Sequence, residues 1–329
     1  MDLAESWYQR RRWLLLLWPL SLLFRVVVSV RRWAYRHGML ASSALPVPVW
    51  VVGNITVGGA GKTPLTIALV ERLQRHNVAV GIVSRGYGGR PAPLPRLVRA
   101  DHHAEEVGDE PLMIHRRTGV PVMVHGDRVA AAQALLQSHP HLQLILADDG
   151  LQHYALRRQR EIAVVDGRRR FGNGWLLPAG PLREPLSRLR QVDAIVCNGG
   201  EPLPGELAMR LEADCWCNLA GERRATLPAQ QRLWAVAGIA HPRRFFHTLA
   251  EQGVAVEHEV ALPDHFPLSD AWMAEHIPAD VTVLMTAKDA VKLTSACLVP
   301  VWYLSVNAVL DEAAWQHLLA PLTLTGEAR

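Results

Sequence analysis

Apolar residues are distributed unevenly along the chain. From residue 13 to 30 they are nearly continuous, interrupted only by Pro19, Ser21, Arg25 and Ser29. From residue 47 they come instead as short runs, at 47–52, 78–83, 142–147, 162–165 and 194–197, each ending in a polar or glycine-rich turn. Such runs read as buried strands, and the stretch 63–75 after the first of them reads as a helix. Strands alternating with helices predict an α/β fold, a mostly parallel sheet with helices on both faces. Near Arg232 the pattern restarts, with strands expected at 233–237, 281–285 and 301–305 and a helix at 242–252. The expected division is therefore an N-terminal helical segment (1–38), a core (39–228) and a smaller C-terminal α/β lobe (229–329). No internal repeat or low-complexity tract is visible.

Composition adds little to this picture, but charge and cysteine placement do. The four cysteines form no C-x-x-C pair, and Cys215 and Cys217 stand too close together for a zinc knuckle. Reduced thiols in a cytosolic compartment are the expectation. Seven arginines (positions 10, 11, 12, 25, 31, 32 and 36) face only Asp2 and Glu5 at the N-terminus, so that stretch alone exceeds the chain's formal net charge of +4. A nucleic-acid protein would spread its basic patch over a folded domain, and no nucleic-acid partner is expected. Lysine is confined to positions 62, 288 and 292. Because arginine and lysine do not interchange at a point-charge phosphate site, these three carry weight.

The apolar segment 13–30 admits three readings. A signal peptide would need an uncharged cleavage region where Arg31, Arg32 and Arg36 stand. A membrane span would be short, and Arg25 at mid-bilayer would cost about 2.5–3.5 kcal/mol. An interfacial helix fits best, with Trp7, Trp13, Trp18 and Trp33 near headgroups and the arginines on anionic lipid.

The strongest chemical signal is Thr56-Val57-Gly58-Gly59-Ala60-Gly61-Lys62-Thr63, between a predicted strand and a predicted helix. It follows the P-loop pattern G-x-x-x-x-G-K-[ST] except that threonine replaces the first glycine. Loop N–H groups and the helix N-terminus would cradle phosphates, Lys62 would reach the β- and γ-phosphates, and the Thr63 hydroxyl would bind Mg²⁺. A second signal is the apolar run that ends in Asp148-Asp149-Gly150, the Walker B arrangement. It would set a carboxylate beside the metal held by Thr63, with the choice between Asp148 and Asp149 open.

Two further turns contain carboxylates. Gly108-Asp109-Glu110-Pro111 could supply a base for an acceptor hydroxyl, and Asp264-His265 could supply its partner. Other nucleotide-binding classes fit less well. The stretch nearest to a guanine reader, Thr286-Ala287-Lys288-Asp289, lacks the asparagine and the N-K-x-D spacing. The extra lysine of ParA/MinD-like ATPases is absent from the head of the loop. A soluble small-molecule kinase would have no use for an apolar anchor. A kinase acting on another small-molecule or lipid acceptor, or a regulatory NTPase, remains the alternative.

Taken in order, the motifs resemble the tetraacyldisaccharide 4′-kinase family, the lipid A 4′-kinases of Gram-negative bacteria. They are the loop from Gly53 to Pro64, Ser84-Arg85-Gly86-Tyr87-Gly88-Gly89, Gly108-Asp109-Glu110-Pro111 and Gly126-Asp127-Arg128. Then follow Asp148-Asp149-Gly150-Leu151-Gln152-His153, Leu177-Pro178-Ala179-Gly180-Pro181-Leu182-Arg183-Glu184, Asp264-His265-Phe266 and Thr286-Ala287-Lys288-Asp289. The threonine at the head of the P-loop is also similar to the family, whereas Ala287 departs from it, standing where an acidic residue is usual. The resemblance implies an ATP- and Mg²⁺-dependent kinase at the cytoplasmic face of the inner membrane. Its acceptor would be the 4′-hydroxyl of an acylated glucosamine disaccharide 1-phosphate. It implies two α/β lobes that close on the nucleotide. By motif match Asp109 looks like the catalytic base paired with His265, with Asp148 and Asp149 at the metal. Glu110, Arg183 and Glu184 look like parts of the acceptor and Mg-ATP site.

Overall fold

The structure, a computed structural model, describes residues 3–9, 11–227 and 232–326. Asp2 and Arg10 of the basic N-terminal stretch lie outside the described residues, as does the expected boundary at 228/229. The strands up to the middle of the chain are β1 (Val49–Gly53), β2 (Val80–Ser84), β3 (Arg96–Leu97), β4 (Val122–Val124), β5 (Leu144–Asp148), β6 (Arg160–Asp166) and β7 (Ala194–Asn198). After them come β8 (Leu207–Asn218), β9 (Arg223–Arg224), β10 (Leu233–Ala237), β11 (His258–Ala261), β12 (Thr282–Thr286) and β13 (Val301–Val309). The helices are α1 (Leu3–Tyr8), α2 (Trp18–Arg36), α3 (Lys62–Arg75), α4 (Ala104–Val107), α5 (Asp109–Thr118) and α6 (Arg128–Ser138). They are followed by α7 (Pro242–Glu251), α8 (Asp270–His276), α9 (Ala287–Ala290) and α10 (Glu312–Gly326).

Contacts divide the chain into two compact units that interleave in sequence. One comprises residues 1–84, 127–211 and 308–329, the other 85–126 and 212–307. The linear reading kept 85–126 with the core. In space this segment belongs with the C-terminal residues, because α5 packs on α9.

In the first unit six parallel strands run in the order β8-β7-β6-β1-β5-β2. The chain leaves β1, crosses over β5 to β2, and later jumps from β5 over β1 to β6. This makes β1 the switch point, where ligands bind beyond the carboxyl ends of the strands. β1, β2 and β5 are buried at every position, which explains their unbroken apolar sequence.

In the second unit the order is β11-β10-β12-β13-β8, with β9 antiparallel on β8, and β3 and β4 pair antiparallel. Met273, Val281, Val283 and Met285 fill one face of this sheet. Phe245, Phe246, Leu249 and Leu284 form a second cluster.

At the N-terminus a 3-10 turn (Arg12–Leu17) leads into α2, and together they make one helical run, Arg12–Arg36. Among the described residues it alone is long and apolar enough to cross a membrane. Most of its side chains face outward, Leu16 being 81% exposed and Leu23 62%. Leu14 is buried near its start, and within α2 the buried residue is Ser21. Its Oγ donates to the Leu176 carbonyl at 2.8 Å and accepts from the Ala179 N–H at 3.0 Å. The Trp7 indole of α1 donates to the Pro178 carbonyl at 3.0 Å.

Candidate active site

The phosphate-binding half is built in the first unit at the carboxyl end of β1. There the chain turns through Asn54 and the P-loop into α3. Gly61, the residue before α3, has φ 94°, and a Cβ there would lie 2.3 Å from the Asn198 amide nitrogen. Only glycine meets both conditions. No side chain caps this helix, so its first-turn N–H groups face the loop as anion donors. The shape and donor set of this cradle fit a chain of phosphates.

Asn54, fully buried, organises the loop from inside. Its Nδ2 donates to Thr56 Oγ1 at 3.2 Å and to the Gly58 carbonyl at 3.4 Å, and its Oδ1 accepts from Lys62 Nζ at 3.3 Å. Lys62 also lies 3.4 Å from Asp149 Oδ1, and Arg183 reaches Asp149 Oδ2 at 3.0 Å. Burial alone would raise the Asp149 pKa, but the Lys62 and Arg183 charges outweigh it and hold the carboxyl below the ordinary value. Asp148 is in register with Val52 of β1, and its Oδ1 accepts from Thr66 of α3 at 3.3 Å. Thr63 is buried at the start of α3. Among the described residues there is no group of three or more His, Cys, Asp or Glu that could hold a metal ion. Thr63 and the two aspartates are hard oxygen donors of the kind Mg²⁺ takes when phosphates and water complete its shell.

Behind the P-loop runs the segment 176–184. Val57 N donates to the Pro181 carbonyl at 2.8 Å and Arg183 N to the Ile55 carbonyl at 2.7 Å. Glu184 is fully buried: Gln152 Nε2 donates to its Oε2 at 2.8 Å and the Tyr154 hydroxyl to its Oε1. The same Gln152 nitrogen donates to the Asn54 carbonyl at 3.0 Å. Burial and then the neighbouring Glu184 push the Tyr154 phenol up to about 12, so it stays a donor. His153 is pushed down to about 4 by burial and by the charge of Arg128, whose backbone N–H donates to His153 Nε2 at 3.3 Å.

The second unit holds the other group of predicted residues. Asp109 opens α5 and is 4% exposed. Its Oδ2 lies 3.0 Å from His265 Nδ1, across 156 positions of sequence. His265 has φ 58°, a left-handed conformation uncommon for a non-glycine residue. The Tyr87 ring and its imidazole pack in a T-shaped pair with centroids 4.8 Å apart. Burial would raise the Asp109 pKa, but the His265 hydrogen bond and the charge of Lys288 leave it below the ordinary carboxylate value. Glu110 Oε1 lies 3.2 Å from Lys288 Nζ. A cavity of about 550 Å³ borders Asp109 and His265, with Arg90, Phe266, Leu268 and Lys292 in its lining.

The first unit therefore gathers Thr56 to Thr63, Asp148, Asp149, Arg183 and Glu184, and the second gathers Asp109, Glu110 and His265. Sequence reasoning gave no role to Asn54, Gln152 or Lys288. Asn54 and Gln152 lie inside quoted motifs. Lys288 stood out as one of three lysines and lies inside the quoted motif Thr286-Ala287-Lys288-Asp289, which as a guanine reader was rejected. Asp289 of that turn is fully buried, accepting from Gly238 N at 3.1 Å and from Lys292 Nζ at 3.0 Å.

A glycine-rich loop, a lysine and a helix N-terminus at the carboxyl end of a central parallel strand, with an aspartate on the adjacent strand, define a P-loop nucleotide-binding protein. The family model described as tetraacyldisaccharide-1-P 4′-kinase matches residues 13–323. Tetraacyldisaccharide 4′-kinase of Aeromonas hydrophila subsp. hydrophila is 46% identical over 327 residues, covering 99% of this chain and 98% of that one. The enzyme of the same name from Aeromonas salmonicida is 47% identical over 320 residues, covering 97% and 96%. Among solved structures, an "apo" form of LpxK from Aquifex aeolicus in complex with ATP matches with a TM-score of 0.77 at 29% identity, covering 92% of this chain and 97% of that one. The chain belongs to the tetraacyldisaccharide 4′-kinase family.

Proposed function

We infer that the protein transfers the terminal phosphoryl group of ATP to the 4′-hydroxyl of tetraacyldisaccharide 1-phosphate, a step of lipid A biosynthesis. Family membership over nearly the whole chain carries this reading, and the P-loop agrees with it. When bound, Mg-ATP supplies the phosphoryl group and the metal charge that offsets the phosphate oxygens.

The residues of the chain take the following roles on this reading. The loop from Thr56 to Gly61 and the N-terminus of α3 hold the phosphates through N–H groups. Lys62 leaves Asp149 and Asn54 to meet phosphate charge. Thr63, Asp148 and Asp149 are the oxygen donors offered to Mg²⁺. Asp109 accepts the proton of the acceptor hydroxyl late in transfer, oriented by His265. Glu110 belongs to the acceptor side and Arg183 to the nucleotide side. Glu184, sealed inside, supports the site by holding Gln152 and Tyr154 behind the P-loop. Helix α2 lies in the cytoplasmic surface of the inner membrane, where this acceptor resides. Its outward leucines and valines support that placement, and nucleic acid has no part in the reaction.

The test is phosphate transfer from γ-labelled ATP in mixed micelles with and without the acylated disaccharide. Labelled lipid should form with the wild type. With Lys62→Ala it should fall by roughly 100-fold or more, as expected when a charge on the transition state is lost. A folded Lys62→Ala variant with near-wild-type turnover would refute the P-loop assignment. ATP turnover indifferent to the lipid would refute the acceptor.

A further inference from the structure

Lys288 lies at the first turn of α9, a short helix that Thr286 caps by accepting from the Asp289 N–H. The buried Asp289 holds this turn through Gly238 N and Lys292, so the backbone carrying Lys288 is fixed. Its Nζ lies 3.2 Å from His265 Nε2, 3.2 Å from Glu110 Oε1, 3.3 Å from Asp264 Oδ1 and 3.9 Å from Asp109 Oδ2. The side chain is 18% exposed. A single cation thus meets three carboxylates and the far nitrogen of the histidine that holds Asp109.

Donor chemistry fixes what this contact means. An ammonium group has protons to give and no lone pair, so Nε2 accepts from it. Nδ1 then carries the imidazole proton and donates it to Asp109 Oδ2. We propose that Lys288 is a positioning residue for the phosphoryl transfer: by donating to Nε2 it fixes the His265 ring with Nδ1–H aimed at Asp109, and so holds the carboxylate in its orientation. This rests on the reading of Asp109 as the base.

Other charges face the same group and are held constant in the comparison below. Glu110 comes from α5, Asp264 from the turn before His265, and Lys292 from the segment after α9. The phenol of Tyr87 lies beside the imidazole. On the cavity side stand Arg90, His103, Glu105, Glu106 and Asp270.

The experiment is a series at Lys288 in the full-length enzyme, with kcat and KM measured against pH. Lys288→Met removes both donor and charge. It should lower kcat at neutral pH by roughly 10- to 100-fold, the usual effect of losing a residue that orients a functional side chain. KM for ATP should be little changed. The acidic limb of its kcat profile should move to higher pH, because the charge that helps hold the Asp109 carboxyl below its ordinary value is gone. Lys288→Gln keeps a donor without the charge and should fall between Met and wild type. Lys288→Arg should restore most of the rate and the wild-type limb. If Lys288→Met fails to fold, the Gln and Arg variants carry the comparison. An unmoved limb across all folded variants, whatever the rate, would mean a merely structural lysine and overturn the proposal. Asp109→Asn run beside the series separates the two readings. An active Asp109→Asn enzyme overturns the base assignment itself, whereas an inactive one with wild-type behaviour of Lys288→Met overturns only the role of Lys288.

Discussion

Asp109 is almost sealed from water, and its carboxylate is kept ionised by partners rather than by solvent. Its lowered pKa means that the stabilisation from the pair is present at neutral pH and is lost only as the pH falls through the depressed value. If Asp109 and His265 share one function, removing either should remove most of it. Asp109→Ala and His265→Ala should each lower kcat strongly, and the double variant should lose far less than the product of the two. Multiplicative losses in the cycle would show two independent residues. At this scale the sequence made individual residues legible when a motif surrounded them. It missed Lys288, whose meaning comes from a contact across 23 positions with His265 and from carboxylates on α5. It also could not show that Glu184 is turned inward, since the resemblance gives it only as part of the acceptor and Mg-ATP site and no local pattern reports its burial.

The elements of the first unit depend on one another through backbone contacts. The clearest case is the junction of β1, the P-loop and α3. Gly61→Ala should force both a left-handed backbone on an L residue and a clash with Asn198, for a cost on the order of 1–3 kcal/mol. A lower melting temperature together with weaker ATP binding is expected. Asn198→Ala added to it should recover only the steric part. Full recovery in the double variant would show that the backbone conformation carries no cost. The strands flanking this junction were legible because they are buried on both sides and their apolar runs are unbroken. Expected and observed strand bounds there differ by a few residues at most, as for 142–147 against Leu144–Asp148. β8 was not legible: it alternates exposed and partly buried positions around Arg210, Glu212 and Asp214, so no apolar run marks it. α5 and α6 were missed for a related reason. The first carries Asp109, Glu110, His115, Arg116 and Arg117 in ten residues, and the second is rich in alanine and lacks a sharp apolar stripe. The linear division into lobes could not anticipate that 85–126 pairs with 212–307, because no local pattern reports a contact between distant segments.

For the whole molecule, the N-terminal helix poses the question of where the enzyme works. Deleting residues 1–37 would also remove the contacts of Trp7 and Ser21 with the 176–179 turn, and so would mix anchoring with folding. Outward positions separate the two. Leu16, Leu23 and Val27 are 81%, 62% and 54% exposed. Replacing all three by glutamine should leave the fold and ATP binding intact while sharply reducing co-sedimentation with anionic vesicles. Each large apolar side chain buried from water is worth about 1.5–3 kcal/mol. Salt should weaken the wild-type association only in part, since screening acts on the arginines and not on the leucines. Undiminished vesicle binding by the triple variant would place the lipid-binding surface elsewhere.

The grip of Ser21 and Trp7 on the turn behind the P-loop has a kinetic meaning. On the reading that α2 lies in the bilayer surface, the phosphate-binding loop is tied to that plane by a few hydrogen bonds rather than by a long tether. The catalyst and its acceptor then meet in two dimensions. The variable that governs their encounter is the mole fraction of acceptor among its neighbouring lipids, and not its molarity in the surrounding volume. ATP alone arrives from the third dimension. The enzyme would therefore respond to bulk concentration for one substrate and to surface composition for the other. A change in the make-up of the membrane would alter its rate even at constant amounts of enzyme, ATP and acceptor.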